Sequence, residues 1–316
     1  MEALRQGWGL AVREIEYAPV GFGSYHWRVT ADDEGWFVTA DDLVTKRRHR
    51  AERPSEVLRR LSAALSTARS LRDAGLDFVV VPRPTGSGGI VHTVQDRFAV
   101  ALYPHLDGDT YPWGPYPSRP ERLAVLDLIA VLHAAPESAR RRALVDDLVI
   151  PDRDQLVAAL ADRAGPWESG PFGEPARVLL DDHADAVARA LEHYDRLAAD
   201  VAPRIDRMVV THGEPHRANT ITTAEGVVLI DWDTALLAPP ERDLWALVKE
   251  DPRTLDDYAA RTGIEPRGDA LDLYRSWWDL TEVAISIGRF RHPHTETDDI
   301  LLTWNALTLC VATAGW

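Results

Sequence analysis

Residues 208–245 read MVVTHGEPHRANTITTAEGVVLIDWDTALLAPPERDLW, and the rest of the chain is interpreted around them. Two short apolar runs, Met208 to Thr211 and Val227 to Ile230, have the length and β-branched content of strands, and Glu225-Gly226 forms a turn ahead of the second. Acid or amide side chains follow each run. Glu214 and Asn219 come after the first, Asp231 and Asp233 after the second. Asn219 and Asp231 are therefore expected to converge at one mouth of a hairpin. An amide oxygen and a carboxylate meeting there are hard-oxygen ligands suited to Mg2+. Glu214, five positions before Asn219, is placed to accept a hydroxyl proton.

Competing chemistries fail on spacing. His212, Glu214 and His216 look superficially like a zinc protease site. That motif needs its glutamate directly after the first histidine, on a helix, and Gly213 and Pro215 spoil the helix. His212-Gly213-Glu214 also fits the H-x-E of zinc deaminases, which require a downstream P-C-x-x-C, and Cys310 is the one cysteine of the chain. There is no G-x-S-x-G elbow and no G-x-x-x-x-G-K-[ST] loop.

Composition narrows the class further. A chain of 316 residues with 45% hydrophobic and 27% charged residues is ordinary globular material, one large domain or two coupled lobes. The net charge of −15 argues against non-specific nucleic-acid binding, which needs clustered Lys and Arg, and suits cationic small molecules. A single cysteine rules out an intramolecular disulfide and a cysteine zinc knuckle. The start, MEALRQGWGL, lacks the apolar stretch of a secretory signal, and no run is long and apolar enough to span a membrane. The expectation is a cytoplasmic protein with no membrane partner.

Working outward, residues 11–40 read as three strands joined by short turns, with Gly21-Phe22-Gly23-Ser24 between the first two. The basic run Lys46-Arg47-Arg48-His49-Arg50 reads as a solvated loop. A helix should begin at Pro54-Ser55-Glu56 with Ser55 as N-cap and end at Ala74-Gly75. Residues 78–81, 90–94 and 98–103 look strand-like, with a hairpin turn at 86–89. The proline- and aromatic-rich stretch up to Pro120 reads as a linker, and helices are expected over 121–134, 153–163 and 176–199. The whole is an α+β chain: a small sheet-containing lobe, residues 1–106, then a larger helical lobe, residues 107–316, with a cleft between them.

The segment 208–245 resembles the catalytic core of the aminoglycoside phosphotransferase family, whose members share the protein-kinase-like fold. Its H-G-D-x-x-x-x-N loop is similar to His212-Gly213-Glu214-Pro215-His216-Arg217-Ala218-Asn219, and its I-D-[WF]-[EDG] segment to Ile230-Asp231-Trp232-Asp233. The aspartate that buttresses the catalytic loop would be Asp243. The resemblance implies a bilobal fold, an antiparallel-sheet N-lobe plus a helical C-lobe, and use of ATP or GTP with Mg2+. Asn219 and Asp231 would hold the metal, and Glu214 would orient or deprotonate the acceptor hydroxyl. Backbone amides near Gly21, Gly23 and Ser24 would cover the phosphates. Backbone groups from Tyr103 to Leu106, His105 included, would meet the base.

The chain departs from the family at two points. Glu214 stands where the family has aspartate, one methylene shorter. Thr39 stands on the third strand where a lysine should contact the phosphates and pair with a helix glutamate. Lys46, with Arg47 and Arg48 beside it, is the candidate replacement. Glu56 would then lack its lysine partner and serve the helix N-terminus instead. Near the C-terminus, Asp279 and Glu282 share a helix face beside Trp278, a pattern able to grip an amino-sugar or another cation. The reading is a Mg2+-dependent phosphotransferase, monomer or homodimer, moving a nucleotide γ-phosphate to a hydroxyl of a small molecule, with aminoglycoside-like antibiotics and amino-sugars favoured. The missing lysine at Thr39 supports an alternative: a catalytically impaired kinase-like fold that binds a ligand or partner.

Overall fold

The computed structural model of the protein describes residues 1–20, 23–249 and 251–313. The first half of the chain runs α1 (Glu2–Trp8), β1 (Val12–Tyr17), β2 (Tyr25–Ala31), β3 (Glu34–Asp42), α2 (Pro54–Asp73), β4 (His92–Val94), β5 (Phe98–Pro104), β6 (Asp109–Thr110), α3 (Arg119–His133) and α4 (Glu137–Arg140). It continues with α5 (Arg153–Ala161), α6 (Gly173–Asp182), α7 (Ala184–Val201), β7 (Val209–Thr211), β8 (Thr220–Thr223) and β9 (Gly226–Leu229). It ends with β10 (Leu236–Ala238), α8 (Glu241–Val248), α9 (Thr254–Thr262), α10 (Gly268–Phe290) and α11 (Asp298–Thr313). Two compact units result. One comprises Met1–Arg47, Glu52–Asp146 and Asp206–Pro266; the other comprises Arg48–Ala51, Asp147–Ile205 and Arg267–Trp316.

The first unit is built on an antiparallel sheet of order β1-β2-β3-β5-β4. Strand periodicity assigns its two faces. Trp36, Val38 and Ala40 of β3 pack with Val29, Leu102 and the α1 residues Leu4 and Trp8 in one apolar cluster. Phe37, Thr39 and Asp41 alternate with them, so they share the opposite face, in register with Tyr103, Ala101 and Ala99 of β5. The expected lysine position and Asp41 therefore lie two residues apart on one side of one strand.

Further along, β8 and β9 form a hairpin with Thr220 opposite Leu229, and β6 adds to its edge. Gly108 is required at that edge, because a Cβ there would lie 2.6 Å from Ile221 Cγ2 and 2.7 Å from the Thr222 carbonyl oxygen. Strand β8 was not expected. Its TITT sequence is polar, and it reads as strand only through its β-branched content. Conversely, residues 78–81 form no strand. Val79 makes a lone parallel bridge to Leu229, and prolines at 82 and 84 keep the ladder from growing.

Helix α2 begins two residues earlier than expected: Arg53, not Ser55, is its N-cap. Pro54 takes the first helical position, where its missing N–H costs nothing, and Arg53 precedes it. Glu56 turns back to accept from the Arg53 N–H at 2.8 Å and its guanidinium at 3.0 Å, so it serves the helix N-terminus. The expected linker is ordered against the hairpin and catalytic loop: Tyr111 donates to Thr222 Oγ1 and the buried Tyr116 donates to the Pro215 carbonyl, each at 2.9 Å.

The second unit is helical. The stretch expected as one helix over 176–199 is two, α6 and α7, parted at His183, whose ring bonds back to the Leu179 carbonyl. The basic run is not a solvated loop throughout. Within this unit Arg48 makes a two-pronged pair with Asp147, both contacts at 2.7 Å. Among the described residues no helix is long and apolar enough to cross a membrane.

Candidate active site

The loop after β7 is held from behind by Asp243, at the start of α8. Its buried carboxylate accepts from the His212 N–H at 3.0 Å and the Gly213 N–H at 2.6 Å, and His133 Nε2 lies 3.1 Å from it. Burial would raise its pKa, but His133 and the neighbouring charges overcome that and hold it below the ordinary value. Gly213 adopts φ +102°, a backbone state that side chains resist, and a Cβ there would meet the Arg242 guanidinium at 2.5 Å. That guanidinium is itself fixed, donating to Thr211 Oγ1 at 2.8 Å and the Thr234 carbonyl at 2.9 Å.

His212 joins the loop to the segment carrying Asp231. Its Nε2 donates to the Ile230 carbonyl at 2.8 Å and its Nδ1 accepts from the Glu214 N–H at 3.2 Å. The pattern requires a neutral imidazole protonated on Nε2. Burial depresses its pKa in agreement. The ring also stands edge-on to Trp232, centroids 4.6 Å apart.

Asn219 and Asp231 occupy the same end of the β8–β9 hairpin. The Ile230 N–H donates to the Asn219 carbonyl at 3.0 Å, one ladder step beyond Thr220 and Leu229. The Asn219 amide nitrogen donates to the Glu214 carbonyl at 3.0 Å and lies 3.3 Å from His216 Nε2. Its side-chain oxygen is the end left to face a cation. Asp231 sits in the left-handed region, φ 65° and ψ 63°. Glu214 is half-buried, with His216 Nε2 3.5 Å from its Oε2. The hairpin that joins metal-candidate residues is thus β8–β9, with its turn at 224–225 and not across the longer loop from β7.

Lys46 enters this group from the loop after β3. Its Nζ lies 2.6 Å from Asp233 Oδ2 and 2.7 Å from Asp41 Oδ1. Burial alone would depress its pKa; the carboxylates of Asp233, Asp41 and Asp231 override this and push it well above that of a free lysine. The Asp233 carboxylate, with burial second, raises the Asp231 pKa well above the carboxylate range. Asp233 itself is pulled down despite burial, because Lys46 faces it. Tyr103 pairs with Phe37 of β3, on the face that carries Asp41. Burial first, then Asp41, Asp231 and Asp233, raise its pKa.

This donor set fits a hard divalent cation. It offers a neutral amide oxygen and a carboxylate whose neighbours already crowd it with negative charge. Among the described residues there is no cluster of three or more His, Cys, Asp or Glu able to hold a metal alone. Two protein oxygens are what a Mg2+ site completed by phosphates and water needs.

Gly21 lies outside the described residues; Gly23 has φ +84° and Ser24 donates to Asp41 Oδ1 at 2.6 Å. The His105 N–H is engaged by the Gly35 carbonyl at 3.1 Å, and its ring lies 3.7 Å from Asp107. Trp278, Asp279 and Glu282 are half-buried on α10 of the second unit, where Cys310 Sγ lies 3.4 Å from the Asp279 carbonyl. Sequence reasoning missed Asp41, which has no motif around it, and Trp113, 60% exposed in the supposed linker and 6.4 Å edge-on from His216.

A buttressed loop bearing an acid and an amide, with a lysine-held acid pair beside it, defines a phosphotransferase. The chain belongs to the phosphotransferase enzyme family (APH), whose pattern matches residues 14–279. It is 32% identical over 246 residues to Protein StrN of Streptomyces griseus, 75% of this chain and 73% of that one. Its fold is similar to that of a spectinomycin phosphotransferase in complex with ADP and spectinomycin, with a TM-score of 0.73 at 16% identity over 98% of this chain and 95% of that one. It is also similar to a microcompartment-associated aminopropanol kinase, with a TM-score of 0.60 at 15% identity over 98% and 94% of the two chains. The fold is therefore the kinase-like α+β fold expected from residues 208–245, and the chain is a small-molecule phosphotransferase.

Proposed function

We propose that the enzyme transfers the γ-phosphate of ATP or GTP, as its Mg2+ complex, to a hydroxyl of a small polar molecule, with aminoglycoside-like antibiotics and amino-sugars as the acceptor class. The observation that carries this reading is Asp243 gripping the His212 and Gly213 N–H groups, which fixes the loop presenting Glu214 and Asn219 beside Asp231. Similarity of fold to a spectinomycin phosphotransferase and the net charge of −15 support a cationic, hydroxylated acceptor.

In this mechanism Glu214 accepts the acceptor hydroxyl proton as that oxygen bonds to the γ-phosphorus. The bond from phosphorus to the β–γ bridging oxygen breaks, and the nucleoside diphosphate leaves with that electron pair. Asn219 and Asp231 would hold Mg2+, whose contribution is to neutralise charge on the β- and γ-phosphates. Lys46 takes the place of a strand lysine and meets the phosphates, with backbone amides at Gly21, Gly23 and Ser24 covering them. Tyr103 and His105 border the base. Residues 1–106 act as the nucleotide-covering lobe and 107–316 as the catalytic and acceptor lobe, with Trp278, Asp279 and Glu282 contacting the acceptor. His212 and Asp243 orient and touch no substrate.

The test is γ-phosphate transfer by the purified protein across a hydroxyl-compound panel that includes spectinomycin, choline and aminopropanol. Transfer should require Mg2+, and Asp231→Asn should abolish it. Equal, background turnover by both proteins would remove the proposal.

A further inference from the structure

The family arrangement expected from sequence puts a lysine on the third strand and an acid on the helix. Here both are exchanged. The strand carries the acid, Asp41, and the helix carries a cation, Arg60. Arg60 Nη2, on α2, donates to the Lys46 carbonyl at 3.1 Å and to both oxygens of the buried Glu52 at 3.1 Å each. The helix thus holds the lysine by its backbone. Asp41, 5% exposed at the end of β3, holds the ammonium at 2.7 Å. The same Asp41 oxygen accepts the Ser24 hydroxyl at 2.6 Å. One carboxylate oxygen therefore ties Lys46 to Ser24.

We propose that Asp41 is a positioning residue for Lys46, keeping its ammonium on the β3 side so that it is available to nucleotide phosphates. Two acids compete for this lysine, Asp41 and Asp233. Asp233 adjoins Asp231, whose negative charge a divalent cation needs. With Asp41 neutral, Coulomb attraction would draw Lys46 wholly onto the Asp231–Asp233 pair. The lysine would then compete with the cation and turn away from the phosphates. Thr39, two residues earlier on the same face, cannot do this work: a hydroxyl has no charge to oppose Asp233. The Asp41 carboxylate is the one strand-borne charge on that face of β3.

The inference rests on the nucleotide site proposed above, and the experiment separates the two. Full-length wild type, Asp41→Asn, Asp41→Glu, Lys46→Met and the Asp41→Asn/Lys46→Met double variant are titrated calorimetrically with ADP and Mg2+. Asp41→Asn, nearly isosteric, should weaken binding roughly tenfold, the scale of one hydrogen bond to a charged group. Asp41→Glu, which keeps the charge on a longer stem, should recover part of that loss and also guards against an Asn variant that fails to fold. The double variant should bind no more weakly than Lys46→Met alone, because Asp41 acts through the lysine; a merely structural aspartate would give additive losses. Wild-type affinity in Asp41→Asn, or additive losses in the double variant, overturns the inference. Failure of the wild type to bind ADP with Mg2+ overturns the nucleotide site itself, and the inference with it.

Discussion

Asp243 and Gly213 are 30 residues apart in the chain and joined by a 2.6 Å hydrogen bond from the glycine N–H to the aspartate carboxylate. The other Asp243 oxygen takes the His212 N–H, so one side chain fixes two consecutive peptide groups of the catalytic loop. Both N–H groups are buried in residues that lie away from water. Asp243→Ala should leave them without partners, at about 1–3 kcal/mol each. We expect a loss of about 3–5 kcal/mol in urea unfolding, with phosphotransfer lost as well. A variant within about 1 kcal/mol of wild type would show that the loop stands without this buttress.

Gly213→Ala tests the same loop from its front. The residue holds φ +102°, and the new Cβ would sit 2.5 Å from an Arg242 guanidinium that is already tied to Thr211 and Thr234. Because the guanidinium has no slack, the loop must move. The strain should lower stability by about 1–3 kcal/mol. It should reduce kcat more than the KM of either substrate, since Glu214 is the next residue. Unchanged kcat with intact stability would mean that the loop absorbs the methyl group elsewhere.

What was legible in the sequence was local. The loop from His212 to Asn219 and the segment from Ile230 to Asp233 keep their spacing because a tight loop and a hairpin impose it, so their chemistry reads directly. Asp243 was legible by resemblance, and the structure adds the two N–H groups it holds. What was not legible depends on distant pairing. Lys46 meets Asp233 across 187 positions, and a run of basic residues gives no hint of that. The stretch 107–120 looks like a linker because proline and aromatics break periodicity. Its order comes from Tyr116 reaching Pro215, 99 positions away, and from Arg217 lying 4.2 Å over the Tyr111 ring. Glu56 is legible as a helix-end residue, because its place beside a proline start is a local property.

Glu214 offers a test of reach. The family's aspartate is one methylene shorter, and Pro215, anchored through its carbonyl by Tyr116, fixes the path of the backbone just beyond. If the loop is set for glutamate, Glu214→Asp should carry the right chemistry to the wrong place. A misplacement near 1 Å costs on the order of 10²-fold in kcat. Glu214→Gln, which keeps the reach and loses the base, should be slower than wild type with little change in nucleotide KM. A Glu214→Asp enzyme as fast as wild type would show that the acceptor, and not the loop, sets the distance.

Asp152, in the second unit, predicts a pH effect separate from the active site. It precedes α5 with φ 52°, and its carboxylate faces α10, where a Cβ on Gly288 would lie 3.5 Å from its Oδ2. Burial, with the Asp154 charge second, pushes its pKa up to about 6. The native state therefore holds this proton more tightly than the unfolded chain, whose aspartate titrates near 3.9. Linkage then makes the contribution of Asp152 to stability largest below about pH 4, and that contribution declines as pH rises to about 6 and is flat beyond. Asparagine has the same shape, tolerates the left-handed backbone and carries no charge. Asp152→Asn should raise the thermal midpoint at pH 7 and flatten its dependence between about pH 4 and about 6, the window set by the two pKa values. Parallel curves for variant and wild type across that range would show that the carboxylate is solvated well enough to titrate normally.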